Sequence, residues 1–265
     1  MSKQNLSPQI LKKIKLPQKS SHKGQNGILY IVAGSKQYHG ALFYAISIAS
    51  FFVDLIYVET DLSNRSMVMA LKKLHPAIIL VSAQQRMRYL KKSDCLLIGP
   101  GLGKTAKSRK TVLTLLKHSA KPEKVVIDAD ALSFIQQKQL TANMVITPHQ
   151  GEYRELYGNT EVLEASKLHP AVILQKGAKD AICQNGKCKY NTRGNAGLTK
   201  GGTGDVLAGL VAVFCCLSDV YTASCAGAIL NGLAAEDLEK RYGTYFSTQT
   251  LIQQIPQTFN TWLRK

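Results

Sequence analysis

Residues 194–210 read GNAGLTKGGTGDVLAGL, and the fold and the chemistry that we infer for this chain begin from this stretch. Four glycines fall between Gly197 and Gly204, and Asp205 then opens a run whose apolar positions suit a helix. Glycine-rich turns let backbone N–H groups converge on an anion, and a helix that starts there adds unpaired N–H donors. Asp205 would repel that anion, so a site that only holds phosphate does not explain it. Its position is explained if it removes a proton from a nucleophile beside the phosphate. The alternative is a glycine-rich loop with Asp205 as the helix N-cap.

Composition limits the chain to a globular class and little more. Its 265 residues are 45% hydrophobic, and 34 Lys and Arg against 17 Asp and Glu give a formal net charge of +17. Positive charge attracts nucleic acid, anionic membranes or nucleotides, but these lysines are scattered and aromatic residues seldom alternate with them. A lysine-rich solvated surface is therefore the simpler interpretation. We expect one domain over residues 1–265, with a basic leader at 1–23.

The cysteines and the apolar segments bear on location. Six cysteines show neither a zinc-binding spacing nor a disulfide framework, which favours a reducing compartment. The N-terminus is polar and lysine-rich, unlike a secretory signal. The longest apolar segment, residues 41–52, is shorter than the roughly 20 residues of a membrane-spanning helix. The sequence thus predicts a cytoplasmic protein without a membrane anchor.

Short β-branched runs alternate with helical patterns along most of the chain, which is typical of repeated βαβ units. The alternation predicts an α/β fold with a mostly parallel central sheet and helices on both faces. The predicted strands are residues 27–33, 55–58, 77–81, 95–98, 124–127, 144–146 and 171–174, and the predicted helices are 41–52, 104–118, 151–156, 161–168, 205–217, 221–241 and 247–262. Within residues 181–190, Asn185-Gly186 lies between two short runs, which indicates a β-hairpin.

Polar or glycine-rich segments follow five of these strands, at the edge where open α/β sheets bind ligands. They read GSKQYHGA at 34–41, GPGLGK at 99–104, DADAL at 128–132, TPHQGE at 147–152 and QKGAKD at 175–180. The end of the second segment is similar to a phosphate-binding P-loop, but that motif needs glycine where this chain has Ile98. The same segment lacks the glycine spacing of the dinucleotide fingerprint. Neither motif is therefore present.

Three of these segments contain candidate metal or substrate ligands. Asp128 and Asp130 could hold Mg²⁺ through water, or one of them could cap the following helix, a role that suits Asp130 better. Glu152 could join the same water shell or complete a helix start. His149 is a candidate donor to a substrate, although a lone histidine is more often structural.

Taken together, the segments AGS…GA, GPGLG, DADAL, TPHQGE, KGA and GGTGDVLAG resemble the ADP/ATP-dependent NAD(P)H-hydrate dehydratases, which have a ribokinase-like fold. The resemblance spans residues 22–238, and TPHQGE and GGTGDVLAG are its most specific parts. It implies that the substrate is NADH or NADPH hydrated at the nicotinamide ring, with a hydroxyl on C6. It implies further that ADP or ATP, with Mg²⁺ as cofactor, phosphorylates this hydroxyl, and that the ring nitrogen lone pair then expels phosphate.

The resemblance also implies residue roles. Asp205 matches the catalytic Asp and would deprotonate the hydroxyl, a contribution of roughly 10²–10⁴-fold. The implied substrate contacts are Ala41, Gly103, His149 and Asp205; the nucleotide contacts are Lys176, Gly177, Ala178, Lys179, Asp180 and Gly204; and the anion hole is Gly201, Gly202, Thr203 and Gly204. Glu152, together with Asp128, would hold the metal through water.

Some features depart from the family pattern. Asp180 stands where Thr or Ser is usual, and a carboxylate there would repel phosphate unless Mg²⁺ or Lys179 compensates. Asn231-Gly232 replaces a common His-Gly pair, which we attribute to packing. Many relatives carry a fused epimerase domain for which this chain has no room, so we expect a separate NAD(P)H-hydrate epimerase to act with it. Relatives form homo-oligomers, and we expect one here.

Two other functions stay open at this point. A small-molecule kinase of the same fold, acting on a thiazole or pyrimidine alcohol, would share the glycine loop and its aspartate, but TPHQGE and DADAL favour the dehydratase. A non-catalytic nucleic-acid-binding protein has only the charge of +17 in its favour.

Overall fold

The fold is built on a single nine-stranded sheet, seen in a computed structural model that describes residues 4–119 and 124–265. The strands are β1 (Ile28–Val32), β2 (Leu55–Glu59), β3 (Ile78–Leu80), β4 (Cys95–Ile98), β5 (Lys124–Ile127), β6 (Met144–Ile146), β7 (Val172–Gln175), β8 (Asp180–Gln184) and β9 (Lys187–Asn191). Their order is β3-β2-β1-β4-β5-β6-β7-β8-β9, with every pair from β3 to β7 parallel and the last two pairs antiparallel. The predicted mostly parallel α/β sheet is confirmed.

Helices cover both faces of the sheet. They are α1 (His39–Ala49), α2 (Arg65–Leu74), α3 (Arg86–Leu90), α4 (Ala106–Lys117), α5 (Gln150–Tyr157), α6 (Val162–Ala165), α7 (Thr203–Leu217), α8 (Val220–Tyr242) and α9 (Thr248–Leu263). Side chains alternate between the faces of a strand, so Leu29 and Ile31 of β1 join the core under α1, α7 and α8. Tyr30 and Val32 join the other core, under α4 and α5. None of the described helices is long and apolar enough to cross a membrane.

The strand predictions agree with the structure to within one residue at each end, and the hairpin around Asn185-Gly186 is confirmed. Two helix predictions are wrong in extent: the predicted helices 41–52 and 161–168 each run three residues too far, because α1 ends at Ala49 and α6 ends at Ala165. The backbone N–H groups of Lys167 and Leu168 form tighter turns instead, and Pro170 disfavours helical conformation in the residue before it. The patterns did not single out α2 or α3.

A disulfide that the sequence analysis did not expect links Cys183 of β8 to Cys188 of β9. The two residues face each other directly across the hairpin, with Cα atoms 4.1 Å apart. Their pairing follows from the two-residue turn, which fixes the register of the strands. The two cysteines are five residues apart in the sequence, and this spacing alone did not predict the disulfide, because the register of β8 against β9 was not known. The other described cysteines are free.

The predicted basic leader is in part built into the fold, although its first three residues lie outside the described range. Leu6 N–H donates to the Tyr190 carbonyl at 2.8 Å, and the Tyr190 N–H donates to the Gln4 carbonyl at 3.1 Å. Leu11 and Ile14 are buried in the core with α8 and α9. This segment is therefore attached to β9 and packed on the helices.

The direction of the winding reverses at β1, which lies between β2 and β4. Ligands bind at such a switch point because the loops after the two strands leave in opposite directions. Here these loops touch: the Gly34 N–H donates to the Pro100 carbonyl at 2.8 Å, and a Cβ on Gly101 would lie 2.5 Å from the Tyr38 carbonyl oxygen. Gly99, at the end of β4, lies so close to β5 that an added Cβ would be 1.8 Å from the Asp128 carbonyl oxygen.

We expect Gly99→Ala to lower the free energy of unfolding by about 2–5 kcal/mol, because it combines a φ of 127° with a backbone clash. Urea unfolding followed by circular dichroism measures the loss. Gly201→Ala is the matched control, since no atom lies within 4 Å of its added Cβ and its φ is not positive. Equal stability of the two variants would contradict the close approach of the loops after β4 and β5.

Candidate active site

A cavity of about 410 Å³ opens beside the switch point. Its walls come from the segment after β1, the loop after β4, the loop after β5 and the start of α7. The lining residues are Gln37, Tyr38, Gly40, Ala41, Tyr44, Gly101, Asp130, Gly202 and Asp205. The fold therefore brings two of the predicted substrate contacts, Ala41 and Asp205, to one cavity.

The start of α7 exposes backbone donors. Gly202 is the N-cap residue, with φ 92°, and makes no side-chain capping bond. Asp205 lies in the first turn, so the alternative that it serves as the N-cap is wrong. The Thr203 N–H is already used, because it donates to the Lys200 carbonyl at 3.3 Å, and the Thr203 hydroxyl donates to the same carbonyl at 2.8 Å. Thr203 thus shapes the loop, and Gly204 and Asp205 carry the first-turn N–H groups that remain for an anion.

Lys176 supplies the positive charge of the site. Its Nζ donates to Asp128 Oδ1 at 2.7 Å, and Thr147 Oγ1 donates to the same oxygen, also at 2.7 Å. A Cβ on Gly204 would lie 3.6 Å from this Nζ, which places the ammonium beside the first turn of α7. Burial by itself would lower the pKa of Lys176, but Asp128, Glu152 and Asp205 together raise it. The lysine therefore stays protonated at the entrance to α7.

Asp205 is a carboxylate with an unusual proton affinity. Burial, followed by the negative charge of Asp128, raises its pKa to about 7, and Asp130 and Glu152 add to this effect while Lys176 opposes it. A base with a pKa near the working pH is suited to proton transfer. The position and the pKa of Asp205 together fit a general base.

His149 and Glu152 begin α5 with a capping box. His149 Nδ1 accepts from the Gly151 N–H at 2.9 Å and the Glu152 N–H at 3.3 Å, and Glu152 Oε2 accepts from the His149 N–H at 2.8 Å. The structural alternative for both residues is thus present. Because Nδ1 accepts, the ring carries its hydrogen on Nε2, which lies 3.4 Å from Glu152 Oε1. The side chain is 62% exposed, so a ligand could still reach it. Burial raises the pKa of Glu152, an effect that Lys176 opposes.

Asp130 and Gly103 bind each other. The Gly103 N–H donates to Asp130 Oδ2 at 2.8 Å, so Asp130 links the loops after β4 and β5. The alternative that one of the two aspartates caps the following helix, with Asp130 the better candidate, is wrong for Asp130: Asp128 holds the cap position of the short 3₁₀ helix Ala129–Phe134, and its side chain makes no capping bond. Gly103 lies beside the cavity but does not line it.

Asp180 closes the loop of the KGA segment. Its Oδ1 accepts from the Gly177 N–H at 3.1 Å and its Oδ2 accepts from Asn191 Nδ2 at 3.0 Å. Burial raises the pKa of Asp180, and these two hydrogen bonds oppose the rise. The lysine that also opposes this rise is Lys176, whereas the Nζ of Lys179 lies over the Tyr190 ring, 4.5 Å from the centroid. Asp180 therefore organises the loop through backbone and amide donors, and Ala178 at the loop tip is exposed.

Asn231 is buried in α8, and its Oδ1 has no hydrogen-bond partner among the described residues. The next residue, Gly232, lets α8 contact the loop at Arg193, since an added Cβ would lie 2.5 Å from the Arg193 carbonyl oxygen. Tight packing at Gly232 agrees with the expected packing role of the Asn-Gly pair. The packing does not explain the unpaired oxygen.

The sequence analysis missed the two aromatic walls of the cavity, Tyr38 and Tyr44. Tyr44 follows Gly40 by four residues, so both lie on the same face of α1. This spacing could have predicted Tyr44 from the sequence, because Ala41, next to Gly40, was already a predicted substrate contact. Tyr38 could not be found in this way, since it precedes the helix.

No group of three or more His, Cys, Asp or Glu side chains within residues 4–119 and 124–265 is arranged to hold a metal directly. Asp128 Oδ1 is already bonded to Lys176 and Thr147. Four carboxyl groups nevertheless lie near one another in this region, because Asp128, Asp130 and Glu152 all raise the pKa of Asp205. Lys176 is the lysine that opposes them. Water-mediated binding through Glu152 and Asp128 stays a prediction.

Solved structures and related sequences identify the class. A ribokinase-like superfamily protein from Enterococcus faecalis has the same fold, with a TM-score of 0.88 and 25% identity, over 99% of this chain and 97% of that one. The family model described as NAD(P)H-hydrate dehydratase matches residues 29–257. The chain belongs to the NAD(P)H-hydrate dehydratase family.

Individual relatives agree with this placement. The bifunctional NAD(P)H-hydrate repair enzyme of Methanocaldococcus jannaschii is 36% identical over 259 residues, which is 93% of this chain and 50% of that protein. The chain thus spans about half the length of such relatives. The ADP-dependent (S)-NAD(P)H-hydrate dehydratase of Nitrosopumilus maritimus is 29% identical over 282 residues and is matched over 96% of both chains.

Removing the charge of Asp205 should stabilise the protein at alkaline pH. The group keeps its proton up to about pH 7 in the folded chain but only up to its ordinary pKa of 3.8 when unfolded, so the folded state loses stability as pH rises between these values. We expect Asp205→Asn to gain roughly 1–3 kcal/mol over the original chain at pH 8, after allowance for partial exposure.

Thermal unfolding of both proteins from pH 4 to pH 8 measures this difference, which should grow up to about pH 7 and then stay constant. A stability difference that does not change with pH would contradict the raised pKa of Asp205.

Proposed function

We propose that this chain catalyses the nucleotide-dependent dehydration of C6-hydrated NADH or NADPH, which restores the reduced dinucleotide. The observation that carries the proposal is the position of Asp205, in the wall of the cavity and in the uncapped first turn of α7, with a pKa raised to about 7. Membership of the NAD(P)H-hydrate dehydratase family supports the same activity.

In the first step, Asp205 removes the proton of the C6 hydroxyl, whose oxygen attacks the terminal phosphoryl group of ADP or ATP. The N–H groups of Gly204 and Asp205, the positive end of α7 and the Lys176 ammonium stabilise the charge on the transferring phosphoryl oxygens. The positive φ of Gly202 shapes this loop. No atom lies within 4 Å of a Cβ added at Gly201, which leaves open space on that side of the loop. In the second step, the ring nitrogen lone pair expels phosphate.

The nucleotide and metal sites are proposed beside Lys176. The segment Lys176, Gly177, Ala178, Lys179 and Asp180, with Gly204, contacts ADP or ATP. The surplus of carboxylates over lysine around Asp205 fits a divalent cation, because carboxylate oxygens are the ligands that Mg²⁺ prefers. Glu152 and Asp128 would hold Mg²⁺ through water, and the bound ion would neutralise phosphate charge. Ala41, Gly103 and His149 contact the hydrated dinucleotide.

The proposal includes three wider expectations. We expect the enzyme to act in the cytoplasm. We expect it to form a homo-oligomer. We also expect an NAD(P)H-hydrate epimerase to interconvert the two hydrate epimers for it.

A small-molecule kinase of the same fold remains the second candidate, because Asp205 and the glycine loop would serve it equally. The two differ in product: a kinase releases a stable phosphate ester, whereas the dehydratase releases inorganic phosphate and reduced dinucleotide. Incubation with hydrated NADH and with thiazole and pyrimidine alcohols, followed by phosphate analysis, separates them.

The hypothesis that the chain is a nucleic-acid-binding protein is tested by a gel-shift experiment at several salt concentrations. If no salt-sensitive complex forms, this hypothesis is excluded.

We expect Asp205→Asn to lower the rate of dehydration about 10²–10⁴-fold, because the amide cannot accept the hydroxyl proton. The recovery of the reduced-nicotinamide absorbance from hydrated NADH, ATP and Mg²⁺ measures this rate. For the original chain, the rate should rise with pH up to about 7 and then level off, as Asp205 loses its proton. An Asn variant with normal turnover would exclude Asp205 as the base.

We expect Asp180→Ala to raise KM for the nucleotide about tenfold, because Gly177 and Asn191 lose the acceptor that holds the loop beside Lys176. KM for the hydrate should change little, since Asp180 does not line the cavity. Lys187→Ala, on the exposed part of the same hairpin, is the control and should leave both constants unchanged. If only the hydrate constant moved, the proposed nucleotide role of this loop would be wrong.

A further inference from the structure

Tyr44 forms a wall of the cavity that contains Asp205. It lies on α1 one turn after Gly40, and its ring packs directly on the loop before α7. An added Cβ on Gly202 would lie 2.1 Å from ring atom Cε2 and 2.4 Å from Cδ2. Because Gly202 has no side chain, the ring reaches this loop and stays in contact with the cavity.

The position of Tyr44 is held by the packing of α1 on α7. Gly209 of α7 lets the two helices approach, since an added Cβ would lie 2.6 Å from Ile48 Cγ2 and 3.3 Å from Ala45 Cα. Both α1 residues are fully buried. The ring of Tyr44 is therefore fixed relative to the helix that carries Asp205.

The charged side chains that line the cavity are both acidic. Asp130 and Asp205 contribute carboxyl groups to its wall, and no lysine or arginine is among the described residues that line it. Lys176 is bonded to Asp128 and lies beside the first turn of α7, where the phosphoryl group would bind. An aromatic face attracts positive charge through its quadrupole. The part of the cavity beside Tyr44 therefore suits a group that becomes positively charged.

The second step of the proposed reaction creates such a group. The C6–O bond breaks and its electron pair leaves with phosphate, while the ring nitrogen lone pair forms a double bond to C6, so the ring becomes positively charged. A C5–H bond then breaks and its pair forms the C5–C6 double bond, which returns the lone pair to nitrogen. The proton passes to the departed phosphate ion, and the products are reduced dinucleotide and hydrogen phosphate.

We propose that the ring of Tyr44 stacks on the hydrated nicotinamide and stabilises the positively charged ring that forms when phosphate leaves. This inference rests on the proposed function. Phosphoryl transfer, the preceding step, places no positive charge on the ring. Stacking helps to bind the substrate for both steps, but the stabilisation of positive charge by Tyr44 falls on the elimination step.

Single-turnover kinetics with hydrated NADH, ATP and Mg²⁺ separate the two steps, because ADP formation reports phosphoryl transfer and absorbance recovery reports elimination. We expect Tyr44→Leu to slow elimination about tenfold with ADP formation nearly unchanged, so that the phosphorylated hydrate accumulates. Tyr44→Phe keeps the ring and should eliminate at close to the original rate. Phe43→Leu is the matched control, since Phe43 neighbours Tyr44 on α1 but does not line the cavity.

Fluorinated phenylalanines at position 44 provide the decisive series, because fluorine withdraws charge from the ring face with little change in shape. Elimination should slow stepwise with fluorination, and this readout holds even if Tyr44→Leu fails to fold. The proposal would be wrong if the elimination rate did not change with fluorination, or if Tyr44→Leu slowed both steps equally. Tyr44 would then serve only as a packing contact for Gly202. Failure of the original chain to form any NADH would instead overturn the proposed function.

Discussion

The buried ion pair between Lys176 and Asp128 is the interaction on which the site depends. It joins the end of β7 to the end of β5, and Thr147 at the end of β6 donates to the same carboxylate oxygen. Three neighbouring strands thus deliver their loops to one point. The Asp128 side chain is 1% exposed, so loss of Lys176 would leave this carboxylate buried without its cation, which typically costs about 3–5 kcal/mol. The geometry around α7 is therefore tied to a charge pair rather than to apolar packing alone.

This pair also sets the electrostatic balance of the site. Lys176 offsets only part of the negative charge of Asp128, Asp130, Glu152 and Asp205, and burial strengthens the remaining repulsion. The burial of Asp205, followed by this repulsion, raises its pKa to about 7. The same burial that makes Asp205 a suitable base makes its ionised form costly to the folded state. Function and stability are thus in opposition at this residue.

Close backbone approach completes the site. Gly99 allows the loops after β4 and β5 to touch, Gly101 allows contact with Tyr38, and Gly202 allows the Tyr44 ring to cover the loop before α7. In each place a Cβ would overlap atoms of the neighbouring segment. These contacts fix the cavity walls at the switch point of the sheet, where the topology already separates the loops.

The sequence by itself determined the parallel α/β fold, the hairpin and the order of ligand-facing segments, because β-branched runs and glycine turns are local signals. It also predicted Asp205 as a base, and the family resemblance predicted Lys176 as a nucleotide contact. Only the tertiary structure decided that Asp205 is not a cap, that Asp130 holds Gly103, that Cys183 pairs with Cys188 and that Tyr44 lines the cavity. These features depend on strand register and on contacts between distant segments, which no local pattern encodes. The opening glycine-rich stretch could therefore predict an anion loop, but the proton affinity of its aspartate arises from burial and from carboxylates that two other strands bring to it.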